Sequence, residues 1–474
     1  MELPGSYDFH LADSRHVAAR RFWDYLGDAG YRVGLVNIPF TYPPTSVNGF
    51  LIGGMLTPGS HVNFTHPPAL QPLLLQRFNN KFLFDAGDNV QEKGALVEHV
   101  VAYTQQQLQT ALWLLEEAWD CFTIVFTGPD RLQHFLWADM DSQHSDHQPE
   151  NAHPFGDALH LYFQTLDHAL AQILTHLPED TLVLIVSDHG FNGVGRRFYI
   201  NRWLQEQGFL ALHDRPDAVG AILPHLSFLK RSRLAKLLKQ RLLPGVSGPA
   251  QLQTAAFTQS IDWINTKAYY APDGGLRINM KGREIQGIVT PAEYEPLRQE
   301  LAGRLRGLVD PTTGQHPIAE VYLREQLYQG PFLSHAPDLI VEPHRDQLQN
   351  HHNYLLDTNL KWKNFPFTSA APYSGNHAPD GILIGWGQSV AVQKELTNCH
   401  LMDIAPTILA AMGVAIPDQI DGKVLLELFA DEYRPEPTFY TAPNWSPVSD
   451  TVEKGDGDMD TAVANRLRNL GYLD

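Results

Sequence analysis

Cysteine is almost absent: Cys121 and Cys399 are the only two in 474 residues, so no disulfide framework is implied. No apolar run approaches the roughly 20 residues of a membrane span. The opening, MELPGSYDFHLADSRH, lacks the apolar core of a secretory leader. Positive charge is in short supply, 35 Lys and Arg against 53 Asp and Glu, for a formal net charge of −18. That balance argues against a nucleic-acid backbone or an anionic membrane as the main partner. A phosphate compound could still bind where a metal ion reverses the local sign. Internal repeats and low-complexity segments are also missing, which argues against a solenoid or a disordered tail as the working part. The expectation is a soluble, cytoplasmic protein of unspecified oligomeric state.

What is present is apolar residue in quantity, 43%, and 22 histidines. The first is enough for a substantial core; the second invites a search for metal ligands. The chain's organising stretch is residues 181–191, TLVLIVSDHGF. An unbroken apolar run, 182–186, stops at a turn signal, which reads as a strand buried on both faces of a parallel sheet. Parallel sheets present their chemistry at the carboxyl ends of strands, which puts Asp188 and His189 where a site belongs.

The rest of the chain supports an α/β reading. A helix is expected over 16–30, a strand over 33–38, and a long amphipathic helix over 91–119. A buried strand at 122–127 and a helix at 157–177 follow. Strand-helix alternation of this kind marks a parallel sheet with helices on its faces. Further strands are expected at 338–342 and 381–385. Between these blocks the character changes: a basic helix-like run, FLKRSRLAKLLKQRLL, and short strand-like pieces such as 276–280. The expected division is a first core part over 1–204, an inserted cap over 205–330 and a second core part over 331–474. The basic run reads as a solvated face in preference to a membrane-surface helix.

Ligand-type residues recur at strand ends. Asp130 and His134 follow the strand at 122–127, Asp188 and His189 follow that at 182–186, and His377 precedes that at 381–385. If Asp130 opens a helix, His134 lies one turn on and both can face one ion. A shell of oxygen and imidazole suits zinc or manganese better than calcium or magnesium.

The series GPDRLQH, VSDHGF, SGNHAPDGILIGWG and MDIAPTILAAMGV closely resembles the type I phosphodiesterase/nucleotide pyrophosphatase group of the alkaline phosphatase superfamily. It is most similar to a prokaryotic branch of phosphohydrolases or phosphomutases. The similarity extends to IDWINTKAYY, INMKGRE and the closing RLRNLGYLD. The resemblance implies an alkaline-phosphatase-like three-layer sandwich with a mostly parallel central sheet and an inserted cap. It implies a small-molecule phosphate ester substrate and two divalent metal ions, zinc ahead of manganese. Asp130, His134 and His377 would hold one ion, Asp188 and His189 the other. Two ions about 3.5–4 Å apart can clamp the attacking and leaving oxygens of an in-line phosphoryl displacement.

One departure stands out. The family carries an early strand ending in a metal-binding aspartate, then a threonine or serine nucleophile. Neither has a counterpart here: Thr41, Thr45 and Thr57 fall after the point where the similarity begins, and Asp8 and Asp13 lack a preceding apolar strand. The catalytic nucleophile is therefore unassigned, and a truncated or split reading frame is expected. Absence of that strand would leave backbone groups unpaired on its two neighbours. A phosphomutase and a non-catalytic metal-binding protein remain as rivals to the hydrolase. Lesser candidates have plain structural readings: His144, His147 and His153 as a polar loop, Arg196, Arg197, Arg277 and Arg283 as surface or structural cations. Asp403 reads as a helix cap and Cys121 as a core residue.

Overall fold

The computed structural model describes Tyr7 and residues 12–86, 92–152, 154–213, 258–272, 274–345, 353–358, 366–370 and 373–442. The basic run at 228–243, His153, Asp8 and the closing RLRNLGYLD lie outside these residues.

The chain is a mixed α/β structure, as expected. Helix α1 (Phe22–Asp28) leads into β1 (Val33–Ile38), β2 (Gly49–Gly53) and β3 (Thr65–His66). Helices α2 (Leu70–Arg77) and α3 (Lys93–Leu114) precede β4 (Cys121–Ile124), and α4 (Gly128–Met140) follows it. These strands form one sheet in the order β3-β2-β1-β4, with β1 parallel to both β2 and β4. Each face of the sheet has its own apolar cover, because alternate residues of a strand point to opposite sides. Val36, Phe50, Ile52, Phe122 and Ile124 pack towards α2 and the end of α3, while Val33, Leu35, Leu51 and Cys121 pack against Trp23 and Leu26 of α1.

After α5 (Pro149–Ala152) and α6 (Ala158–Leu174) comes β5 (Val183–Val186), a strand where the sequence placed one, but half-buried along its length instead of buried on both faces. Next are β6 (Gly190–Gly193), β7 (Arg196–Tyr199) and α7 (Ile200–Glu206). A second core, built on Tyr269, Leu276, Ile278, Leu301 and Val321, belongs to an antiparallel sheet. Its strands are β8 (Ala268–Tyr270), β9 (Gly275–Ile278), β10 (Ile318–Leu323) and β11 (Leu339–Pro343), in the order β10-β11-β9-β8. Helix α8 (Pro291–Arg306) starts at a Thr290–Glu293 capping box and packs on β10; α9 (Arg324–Leu327) follows β10.

Two strands differ from expectation in their partners. The run at 338–342 forms β11, which pairs antiparallel with β10 and β9 instead of extending the parallel sheet. After β12 (Tyr354–Asp357), β13 (Phe367–Ser369) and β14 (Gly375–Ala378), the run at 381–385 becomes β15 (Leu383–Trp386). It pairs antiparallel with β5. An apolar run of strand length fixes a strand but not its partner's direction, since parallel and antiparallel ladders ask the same of short buried strands. Helix α10 (Ile404–Ala411) covers the face of the first sheet that α1 also covers.

Candidate metal centre

Helix α4 begins two residues after β4's last neighbours, with Pro129 in its first turn, where a missing N–H costs nothing. Asp130 therefore sits in the first turn and His134 one turn later on the same face, as the four-residue spacing predicts. From the other side, β14 pairs antiparallel with β6, setting His377 opposite Phe191 and beside His189, which immediately precedes β6. Four of the five expected residues thus converge.

The distances are short. His377 Nε2 lies 3.0 Å from Asp130 Oδ1 and 3.1 Å from His134 Nε2. His134 Nε2 is 3.5 Å, and His189 Nε2 3.8 Å, from the same Asp130 oxygen. The His189 and His377 rings stack with centroids 3.8 Å apart. Asp130, His134 and His377 offer ligand atoms that all lie within 4.8 Å of one another. Asp188 stands apart: its side chain is 72% exposed and, among the described residues, its carboxylate reaches only His189, at 3.6 Å.

The tautomer of His134 follows from its partner. Its Nδ1 lies 2.9 Å from the carbonyl oxygen of Gly375; a carbonyl only accepts, so Nδ1 carries the hydrogen and Nε2 presents a lone pair inward. His189 Nδ1 is held in the same way by the Gly190 carbonyl at 3.0 Å. Glycine is required at 375: a Cβ there would fall 2.3 Å from the Gln133 carbonyl oxygen, so only a bare backbone brings β14 this close to α4.

Burial alone would raise the Asp130 pKa, but hydrogen bonds and charge from His134 and His377 outweigh it and hold the carboxyl well below its usual range. Burial lowers His377, with Asp130 opposing and the neighbouring imidazoles adding to the fall. One carboxylate oxygen beside two imidazole Nε2 atoms is a donor set that could hold a metal ion. The donor chemistry fits zinc or manganese: one hard oxygen and two Nε2 atoms, with a backbone carbonyl behind His134. The pair Asp188 and His189 alone falls short of the three or four protein ligands usual for such an ion.

Sequence reasoning did not find the residues that hold this arrangement. Phe191 packs its ring among three imidazoles, 4.9 Å from His134, 5.3 Å from His377 and 5.6 Å from His189. Ser374 ties β14 to α4: its N–H donates to the His134 carbonyl and its Oγ accepts from the Ala138 N–H. Both flank recognisable motifs, but a contact across 240 residues leaves no local signal.

The lesser candidates have structural roles. Buried His144 lies 3.2 Å from the Val194 carbonyl and accepts from the Asp146 N–H, and His147 bonds the Ala138 carbonyl. Arg196 pairs with Asp310 at 2.5 Å, and Arg197 with Asp357. Arg283 pairs with Asp338 and Glu284, and Arg277 donates to the His335 carbonyl. Asp403 accepts from the His400 and Lys423 N–H groups, so it works as a backbone cap. Burial pushes the Cys121 thiol up to about 11, consistent with a packing residue and not a nucleophile.

A profile of the type I phosphodiesterase / nucleotide pyrophosphatase family matches residues 4–361. The chain belongs to that family. The match covers β4, α4, β5 and the Asp188-His189 turn and ends before His377, which joins the site by geometry alone. A type I phosphodiesterase of this kind has the alkaline-phosphatase-like α/β fold seen here, with a parallel-containing sheet and helices on its faces. No match was found among curated proteins. Among the described residues, no helix is long and apolar enough to cross a membrane.

Proposed function

We propose that the chain is a metal-dependent phosphoric ester hydrolase acting on a small phosphodiester or phosphomonoester. Asp130, His134 and His377 hold one divalent ion, zinc ahead of manganese, and Asp188 and His189 contribute to a second. The observation that carries this reading is the convergence of one carboxylate oxygen and two imidazole Nε2 atoms within 4.8 Å of one another, from the helix after β4 and from β14.

A divalent ion bound there supplies Lewis acidity towards a phosphoryl oxygen and offsets the field of an acidic protein facing a phosphate. The chain's own residues orient the site. The Gly375 carbonyl keeps the hydrogen of His134 on Nδ1, so Nε2 stays available. Asp130 remains ionised because both neighbouring imidazoles favour its charged form. Phe191 packs edge-on against the His134 and His377 rings and so limits their movement.

The test is a titration of the metal-stripped full chain with zinc and with manganese, followed by assay against bis(p-nitrophenyl) phosphate and p-nitrophenyl phosphate. Two equivalents bound with metal-dependent release of nitrophenol support the hydrolase. The exposed carboxylate of Asp188 favours a second reading, a non-catalytic metal-binding protein; one equivalent bound and no turnover would select it. Interconversion of isomeric phosphate esters without release of phosphate would select a phosphomutase.

A further inference from the structure

The turn between β4 and α4 decides where Asp130 sits, and its own side chains do little to hold it. Thr127 occupies the N-cap position of α4 but makes no cap bond, the service a threonine there usually gives. The restraint comes from neighbouring elements. Val125 N–H closes the last rung of the β1–β4 ladder on the Val36 carbonyl, at 3.1 Å. Strand β1 then turns off that ladder. Asn37 has φ 58°, in the left-handed region that asparagine tolerates better than most residues, and the pairing with β2 slips between Val36 and Ile38.

The Val125 carbonyl is met by two side-chain amides in place of a strand. Asn37 Nδ2 donates to it at 2.8 Å and Gln107 Nε2, from α3, at 2.6 Å. Both residues are buried, 5 and 4% exposed, so neither amide has bulk water as a ready alternative. Their orientation is fixed, because a carbonyl only accepts and the nitrogen end must face it. Helix α3 supports the turn at a second point. Thr104, three residues before Gln107 and so on the same helical face, bonds the Tyr162 hydroxyl of α6 at 2.9 Å. Gly128, the first residue of α4, lies against that hydroxyl: a Cβ would fall 2.0 Å from it. The start of α4 is thus wedged between α3, α6 and the end of β1, two residues before Asp130.

We propose that Asn37 and Gln107 are positioning residues for Asp130: they clamp the Val125 carbonyl, and the turn so fixed sets the Asp130 carboxylate against His377. The consequence for metal binding rests on the ligand reading above; the clamp rests on the hydrogen bonds alone. Placement, not stability, is what the Gln107 amide supplies. Its Oε1 is buried with no hydrogen-bond partner among the described residues. An orphaned buried acceptor costs at least as much as one neutral hydrogen bond returns, so this side chain is no net source of stability. Asn37 likewise occupies a backbone conformation that most residues avoid, and its donor reaches Val125 from there.

The test uses the full chain and two substitutions chosen to keep the fold. Gln107→Met conserves side-chain volume and deletes the donor and the orphaned oxygen together. Asn37→Gly keeps the left-handed backbone at no steric cost and deletes only the side-chain donor. The melting temperature of Gln107→Met is expected within about 2 °C of the wild type. In the metal-free chain both substitutions should shift the imidazole Cε1–H resonance of His377, which lies 3.0 Å from Asp130. The resonance of His335, beside the antiparallel sheet, should stay in place. Zinc affinity, measured by competition with a chelating dye, should fall about tenfold in each variant, the low end for outer-shell partners. The double variant should lose less than the two single losses combined, since both donors serve one acceptor. An unmoved His377 resonance in both variants would overturn the proposal, as would zinc bound by the wild type with the same affinity in both. A wild type that binds no zinc while the His377 resonance still moves would support the clamp and count against the hydrolase reading instead.

Discussion

His134 is oriented by a carbonyl on a strand 241 residues away. If that contact sets its orientation, Gly375→Ala, which drives a Cβ against the Gln133 carbonyl, should shift β14 and loosen the site without removing a ligand. Zinc affinity is expected to fall by about 10–100-fold, the range for lost outer-shell partners, measured by competition with a chelating dye. Direct loss of a ligand should do more: Asp130→Asn and His377→Ala should each weaken zinc binding by more than about 100-fold. His144→Ala, on the nearby polar loop, should leave metal content unchanged while lowering thermal stability, because that ring is held by Val194 and Asp146. Asp130 and His134 were legible in the sequence because four residues make one helical turn. His377 was a candidate from its place before the strand at 381–385 and from the family's motif, but its meeting with Asp130 depends on the β14–β6 register, which no local pattern encodes.

At the level of elements, the antiparallel sheet is anchored by a buried carboxylate. Asp338, beside β11, takes two hydrogen bonds from Arg283, at 2.7 and 2.6 Å, and others from the Tyr294 hydroxyl and the Ile278 N–H. Burial opposes its ionisation, but Arg283 and these donors hold its pKa below the ordinary 3.8. A depressed folded value stabilises the fold fully above the unfolded pKa, and that contribution is lost as pH falls through the folded one. Asp338→Ala should therefore cost about 3–5 kcal/mol at pH 7, because it strands a guanidinium with much of its partner shell gone. In urea melts, Asp338→Asn should flatten the loss of stability that the wild type suffers as pH drops below about 4. An unchanged slope would assign the acid sensitivity elsewhere. The sequence marked 338–342 as a strand from its apolar run but gave it to the wrong sheet. Asp338 meets Arg283 across 55 residues beside that ladder, a pairing visible only in three dimensions. Helix α8, by contrast, is bounded by signals local in sequence, Pro291 in its first turn and the Thr290–Glu293 capping pair.

At the scale of the molecule, an acidic chain with few cations presents three ligand atoms at the rim of a parallel-containing sheet. Arg196, Arg197 and Arg283 are already matched by Asp310, Asp357 and Asp338, so the proposed source of positive charge facing a phosphate is bound metal. Removing metal with a chelator should therefore abolish any phosphoesterase activity while leaving both cores folded, since neither core includes the site residues. Circular dichroism alongside the assay would check both parts. The most direct measurement is anomalous diffraction at the zinc edge from crystals of the zinc-loaded full chain. The expected result is a peak about 2.0–2.2 Å from an Asp130 oxygen and the Nε2 atoms of His134 and His377. A map with no peak there, or with zinc held at the His144–His147 loop instead, would contradict the account.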